Sequence, residues 1–149
     1  APWAGRDRLT GIHVLDAFAG TGALGFEALS RGAGHASFME TDRGALRALR
    51  ANIAACREEG ASTVLAVDAT RPPSAPKPCG LVMLDPPYGR GLAAAAIAAL
   101  GQAGWIAPGA ILCAETGRGE ACPFPDNYDR VTEPRTHGAG TMHVVIAMA

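Results

Sequence analysis

A run of β-forming residues, Ile12-His13-Val14-Leu15-Asp16-Ala17, delivers the chain directly into Phe18-Ala19-Gly20-Thr21-Gly22-Ala23-Leu24-Gly25. Few folds accommodate a strand that ends in an acid, then a glycine turn, then a helix. Gly20, Gly22 and Gly25 follow G-x-G-x-x-G. The first two glycines let the backbone turn tightly and a ligand come close, and the last lets helix lie against strand. The helix spans residues 22–31, with Leu24, Ala28 and Leu29 at helical spacing, and Gly32 and Gly34 end it. Alone, the motif is weak, because a plain strand–helix turn would share it.

The same alternation continues. Residues 36–40 form a second strand, Thr41 caps a helix over 42–59 with Leu46, Leu49 and Ile53 on one face, and Gly60 stops it. Residues 63–67 form a third strand ending at Asp68. A surface loop over 71–78 is rich in proline (Pro72, Pro73, Pro76, Pro78). The apolar fourth strand, 81–84, runs into Asp85-Pro86-Pro87. An alanine-rich helix (91–101), a fifth strand (110–115) and an irregular loop (117–127) follow. Two last β-rich runs, 128–136 and 141–148, flank His137-Gly138-Ala139-Gly140, which reads as a hairpin turn. Repeated strand–helix units imply an α/β, Rossmann-like, mostly parallel sheet with helices on both faces. The closing hairpin adds an antiparallel strand. The 149 residues suit one domain over 1–149. With 48% hydrophobic and 18% charged residues, the chain can fill one substantial core and is not disordered.

The formal net charge is −1, which excludes a protein that holds nucleic acid by its overall field. Any affinity for RNA or DNA must come from a local patch, a further segment or a partner. Cys56, Cys79, Cys113 and Cys122 form neither a CxxC pair nor a zinc pattern, so free thiols in a reducing cytosol are expected, and no metal. No apolar run reaches membrane-spanning length and no signal peptide is visible. The chain begins at Ala1 and reaches its first strand quickly, so a preceding N-terminal segment is expected.

Further acids sharpen the glycine motif. Glu40 ends the second strand, where a carboxylate can accept both ribose hydroxyls of a bound nucleoside. Asp68 ends the third strand, within reach of an adenine amino group. Each acid alone is commonly a helix cap or a solvated strand end, but Asp16, Glu40 and Asp68 arrive together at one sheet edge. A dinucleotide would set its pyrophosphate on the glycine turn, where Asp16 would repel it. S-adenosylmethionine (SAM) has no phosphate, and its ammonium end suits Asp16. The expected SAM site is Asp16, Phe18, Ala19, Gly20, Thr21, Gly22, Glu40, Thr41, Asp68, Ala69 and Asp85.

Asp85-Pro86-Pro87-Tyr88 reads as the catalytic loop. An NH2 group conjugated to a base is a poor nucleophile, because its lone pair is delocalised into the ring. Accepting hydrogen bonds from both N–H groups favours a more tetrahedral nitrogen. Asp85 supplies one acceptor and the Pro86 carbonyl the other. Pro86 and Pro87 restrict the backbone, so the acceptors are held in advance. Tyr88 can stack on the base and keep it in line with the methyl group. Methyl transfer then gains mainly from orientation and electrostatics. In a duplex the base would first be flipped out.

The stretch from Val14 to Gly32, together with Phe38-Met39-Glu40-Thr41-Asp42, Asn52, Asp85 to Tyr88, Gly91-Leu92 and Gly104-Trp105-Ile106, closely resembles the signature blocks of the RsmD family, the bacterial 16S ribosomal RNA guanine-N2 methyltransferases. The resemblance implies a seven-stranded class I methyltransferase fold, SAM as methyl donor, and a guanine in small-subunit rRNA as target. By that resemblance Asp16, Gly20, Gly22, Glu40 and Asp68 line the SAM site, while Asp85, Pro86 and Tyr88 face the guanine amino group. Thr21 stands where serine is usual. The family's upstream Arg-Pro-Thr block is absent, and with it a segment expected to help hold RNA or cover the cofactor. The near-neutral charge fits a monomer acting on a partly assembled or complete 30S subunit, where other proteins help position the RNA.

Other residues carry weaker signals. Arg90 could touch a phosphate or be a solvated loop arginine. Glu115, ending the fifth strand, reads as a structural strand-end residue, His13 as core or edge, and His137 as an exposed turn residue. Arg43, Arg47, Arg50 and Arg57 read as a solvated helix face. Three rival functions remain. An adenine-N6 DNA methyltransferase also uses this loop, but the stretch between Gly22 and Asp85 is filled by fold elements and leaves no room for a target-recognition region. A glutamine-N5 protein methyltransferase prefers Asn at the first loop position. A silent SAM- or nucleotide-binding module stays open.

Overall fold

The computed structural model of the protein describes residues 9–148; the expected segment ahead of the first strand lies outside them. In chain order the elements are β1 (His13–Asp16), α1 (Ala23–Ser30), β2 (His35–Met39), α2 (Arg43–Ala55), a short 3-10 turn (Glu59–Ala61), β3 (Ser62–Leu65), β4 (Cys79–Leu84), α3 (Leu92–Gln102), β5 (Ile106–Gly117), β6 (Tyr128–Arg130), β7 (Arg135–His137) and β8 (Gly140–Ala147). The strands form one sheet in the order β3-β2-β1-β4-β5-β8-β6, with β7 also paired to β8. The pairs β1–β2, β2–β3, β1–β4 and β4–β5 are parallel, and β8 is antiparallel to β5. The mostly parallel Rossmann-like sheet with antiparallel C-terminal strands is the expected one.

The eighth strand comes from a break. The sequence reads 128–136 as one strand, but the edge splits into β6 and β7. Both are antiparallel to β8, through Tyr128↔Ala147 and Arg135↔Met142. Pro134 lies in the gap and has no N–H to give to a ladder, so β6 and β7 are two pieces of one edge position.

Alternate side chains of the parallel strands feed opposite faces. Leu15, Val82 and Leu112 pack with Ala93, Ala96, Ile97 and Leu100 of α3. On the other face Val14, Leu81 and Met83 meet Ala28 of α1, while Ala36 and Phe38 meet Leu49 and Ile53 of α2. Leu49, Ile97 and Leu100 are fully buried, and each such side chain contributes about 1.5–3 kcal/mol of transfer free energy. Gly25 is what lets α1 approach: a Cβ there would overlap the Phe38 ring. The proline-rich loop is anchored to the core, because buried Trp105 donates its indole N–H to the Pro73 carbonyl at 2.7 Å.

Several boundaries differ from the sequence reading. Asp42, not Thr41, caps α2, accepting from Ala45 N at 2.8 Å. The helix ends at Ala55 rather than running to residue 59, because Arg57 adopts a left-handed φ of 55°. β3 stops at Leu65, leaving Asp68 in the loop beyond it. β5 begins at Ile106, earlier than expected, and reaches Gly117. Among the described residues no helix is long and apolar enough to cross a membrane.

Candidate active site

Parallel strands carry their following residues to one sheet edge, which sets Asp16, Glu40 and Asp85 at or just past the ends of β1, β2 and β4. Asp16 is 1% exposed. Its Oδ2 accepts the Gly25 N–H at 3.0 Å, tying the strand end to the first turn of α1. Its Oδ1 is buried with no hydrogen-bond partner among the described residues. Burial, opposed by the Gly25 N–H and reinforced by the charges of Asp85 and Glu40, raises the Asp16 pKa to about 7. A buried acceptor without a donor is costly, and a ligand ammonium is the kind of group that relieves it.

The glycine turn is shaped for close approach. Gly20 and Gly22 have φ of 56° and 94°, and no atom lies within 4 Å of where a Gly20 Cβ would stand. Glu40 is held by its surroundings: Oε1 accepts the Gly20 N–H at 2.8 Å, and Oε2 accepts the N–H groups of Thr41 and Asp42 at 2.9 and 2.8 Å. The carboxylate is thereby fixed across the turn, with lone pairs left over. Phe18 is half-buried against the α3-side core, and Ala19 is buried. Thr21 is exposed, its carbonyl accepting from Asn52 Nδ2 at 3.1 Å. Asp68 spends Oδ1 on the Thr70 N–H and hydroxyl, at 2.8 and 2.7 Å, and these bonds hold its pKa below the usual range. Ala69 beside it is buried.

Past β4, Pro86 is buried while Asp85, Pro87 and Tyr88 face solvent. The Asp85 carboxylate takes no hydrogen bond among the described residues, and partial burial and then the Glu115 charge raise its pKa. A cleft of about 620 Å³ opens here between α1 and the β4–β5–β8 surface. Its walls are apolar, with Leu24, Leu81, Met83 and Met142, and its carboxylates at the strand-end side are Asp85 and Glu115. Of the expected site residues only Asp85 lines this cleft. Asp16, Glu40 and Asp68 lie along the neighbouring strand ends.

Three residues that the sequence left outside the site belong to its frame. Glu115, read from sequence as a structural strand-end residue, is 8% exposed. Its Oε2 accepts the Tyr88 hydroxyl at 3.3 Å, and its Oε1 meets His137 Nε2 at 2.8 Å. The second is Glu120, in the loop after β5. It accepts the backbone N–H groups of Gly89, Gly91 and Gly117 at 2.8, 2.9 and 2.8 Å. The bonds from Gly89 and Gly117, with a further one from Gly91, hold its pKa low. One carboxylate thus fastens the loop after β4 to the end of β5. The third is His137, set against Glu115 although its ring is largely exposed. The signal for Glu115 was its arrival at the same edge as Asp85. Glu120 has only contacts distant in sequence, which no local pattern reveals.

The family model described as Conserved hypothetical protein 95 matches residues 3–147. Ribosomal RNA small subunit methyltransferase D of Haemophilus influenzae is 35% identical over 128 residues, covering 83% of this chain and 66% of that protein. The protein of the same name from Escherichia coli K12 is 38% identical over 104 residues, covering 70% and 52%. The chain therefore spans between half and two thirds of the length of these relatives. A crystal structure of a Haemophilus influenzae protein described as a candidate methylase superposes with a TM-score of 0.87 at 28% identity, covering 97% of this chain and 91% of that one. With the family model spanning both the glycine turn and the loop after β4, the chain belongs to the RsmD family.

Proposed function

We propose that this chain is the catalytic domain of a SAM-dependent methyltransferase that modifies the exocyclic N2 amino group of a guanine in 16S rRNA, within a partly assembled or complete 30S subunit. The observation that carries the reading is the open Asp85 carboxylate on a proline-stiffened loop, one strand away from Asp16 with its unpartnered buried oxygen. The names of the relatives support the rRNA substrate. A ribosomal substrate implies a cytoplasmic reaction, and the reading is of a monomer.

SAM fits these residues: Asp16 Oδ1 is an acceptor awaiting a cation, Gly20 leaves room above the turn, and Glu40 is fixed to receive ribose hydroxyls, with Asp68 and Ala69 toward the adenine. When bound, SAM supplies the methyl group on its sulfonium. Asp85 and the Pro86 carbonyl accept the two N–H bonds of the target amine and direct its lone pair at that methyl. Tyr88 holds the base plane, and Asp85 is placed to take the proton released as the N–C bond forms.

Tritium transfer from labelled SAM to 30S subunits lacking the modification, to naked 16S rRNA and to DNA tests the reading. The 30S subunits should be labelled and DNA should not. Asp85→Ala should lower transfer by about 100-fold or more, the scale of losing one preorganised transition-state contact, while SAM binds as before. Lost SAM affinity in that variant would instead move Asp85 to the cofactor side.

A further inference from the structure

Asp85 has a neighbour of the same charge, and the reaction proposed above uses only one of the two. The β4–β5 register pairs Leu84 with Ala114, so Asp85 and Glu115 follow at the same level on adjacent strands, and both line the cleft. Two carboxylates side by side at one mouth call for a reason. Glu115 is largely buried, yet its known partners leave acceptor capacity unused. His137 Nε2 meets Oε1, and the Tyr88 hydroxyl reaches Oε2 only at 3.3 Å. An ionised carboxylate offers about four lone-pair sites. The neighbouring strand keeps the space open: at Gly140 on β8, a Cβ would run into the Tyr88 hydroxyl and stand 2.7 Å from Glu115 Oε2.

Two adjacent acceptors ask for two adjacent donors. Along its pairing edge guanine presents its amino group beside N1–H. Adenine presents N6–H2 beside an N1 that accepts, and cytosine presents N4–H2 beside an N3 that accepts. A carboxylate facing either of those ring nitrogens meets a lone pair with a lone pair. We propose that Glu115 is the specificity-determining residue of this site, accepting the guanine N1–H while Asp85 engages the amino group, and so refusing adenine and cytosine. This rests on the guanine-N2 reading above and assigns the base selection within it to one side chain. Tyr88, bonded to Glu115, then sets its ring beside the base as that edge is read.

The test uses the full chain and 30S subunits reconstituted with 16S rRNA. The nucleotide that the wild type methylates is first located and then replaced by 2-aminopurine, which keeps the amino group and lacks N1–H. The wild type should lose about 100-fold or more in kcat/KM on 2-aminopurine, as expected of a site built to bond an N–H that the analogue lacks. Glu115→Gln can accept from N1–H with its oxygen or donate to a bare N1 with its amide, so the guanine to 2-aminopurine ratio should collapse to within about fivefold. Its SAM dissociation constant should be unchanged. If Glu115 only braces Tyr88 and His137, the variant slows on both substrates equally and the ratio stays put, which overturns the proposal. Should the variant not fold, the wild type decides: equal rates on the two bases also overturn it. No transfer to any guanine would sink the functional reading itself, a result distinct from an unchanged ratio.

Discussion

Burial holds much of Asp16 protonated near neutrality, with a pKa of about 7 against an ordinary 3.8. Folding therefore favours the protonated form, and the stability this adds is fully present below about pH 4 and lost as pH rises to about 7. A ligand ammonium selects the ionised form instead. SAM affinity should then rise by up to about tenfold per pH unit below about pH 7, and fall again as an α-amino group with a pKa of about 8 loses its proton. Calorimetric titrations across that range check this, and Asp16→Asn should flatten the acid limb. An acid limb that survives the substitution would assign it elsewhere. Asp16 was legible from sequence because an acid before a glycine turn has one natural placement. Its orphan oxygen was not, since only packing decides that Gly25 reaches one oxygen and nothing reaches the other.

The loop after β4 is an element only because another element holds it. Glu120→Gln keeps the size of the side chain but replaces one acceptor oxygen with an NH2 that cannot receive a backbone N–H. The Asp85–Gly91 segment should loosen, and kcat should fall by about 10- to 100-fold, since small misplacements of reacting groups are expensive. SAM affinity and the melting temperature should barely move. A kcat equal to the wild type would show that the loop holds itself. The strands and helices were largely legible, because a continuous apolar run such as 81–84 marks a buried strand and a 3.6-residue periodicity survives in 43–55. Their ends were less so. Arg57 takes a left-handed conformation that glycine usually takes, and Pro134 breaks an edge strand whose composition otherwise reads as continuous. His137 lies at a turn that sequence reads as solvent-facing, and only the pairing of β7 with β8 carries it to Glu115.

Across the whole molecule the two cores share the central strands β1, β4 and β5, while β7 is exposed along its three residues at an interrupted edge. Native-state hydrogen exchange should be slowest in β1, β4 and the middle of β5, and faster by orders of magnitude in β6 and β7, because local opening there uncovers little apolar surface. Equal protection across the sheet would contradict that layout. The three amides gathered on Glu120 come from either side of Arg90 and from the end of β5. Two outlets of the sheet, far apart along the chain, are knotted at a single point. While the knot holds, the two outlets can shift only together, as one jaw rather than two, so a displacement of the loop after β4 and a displacement of the end of β5 are the same movement.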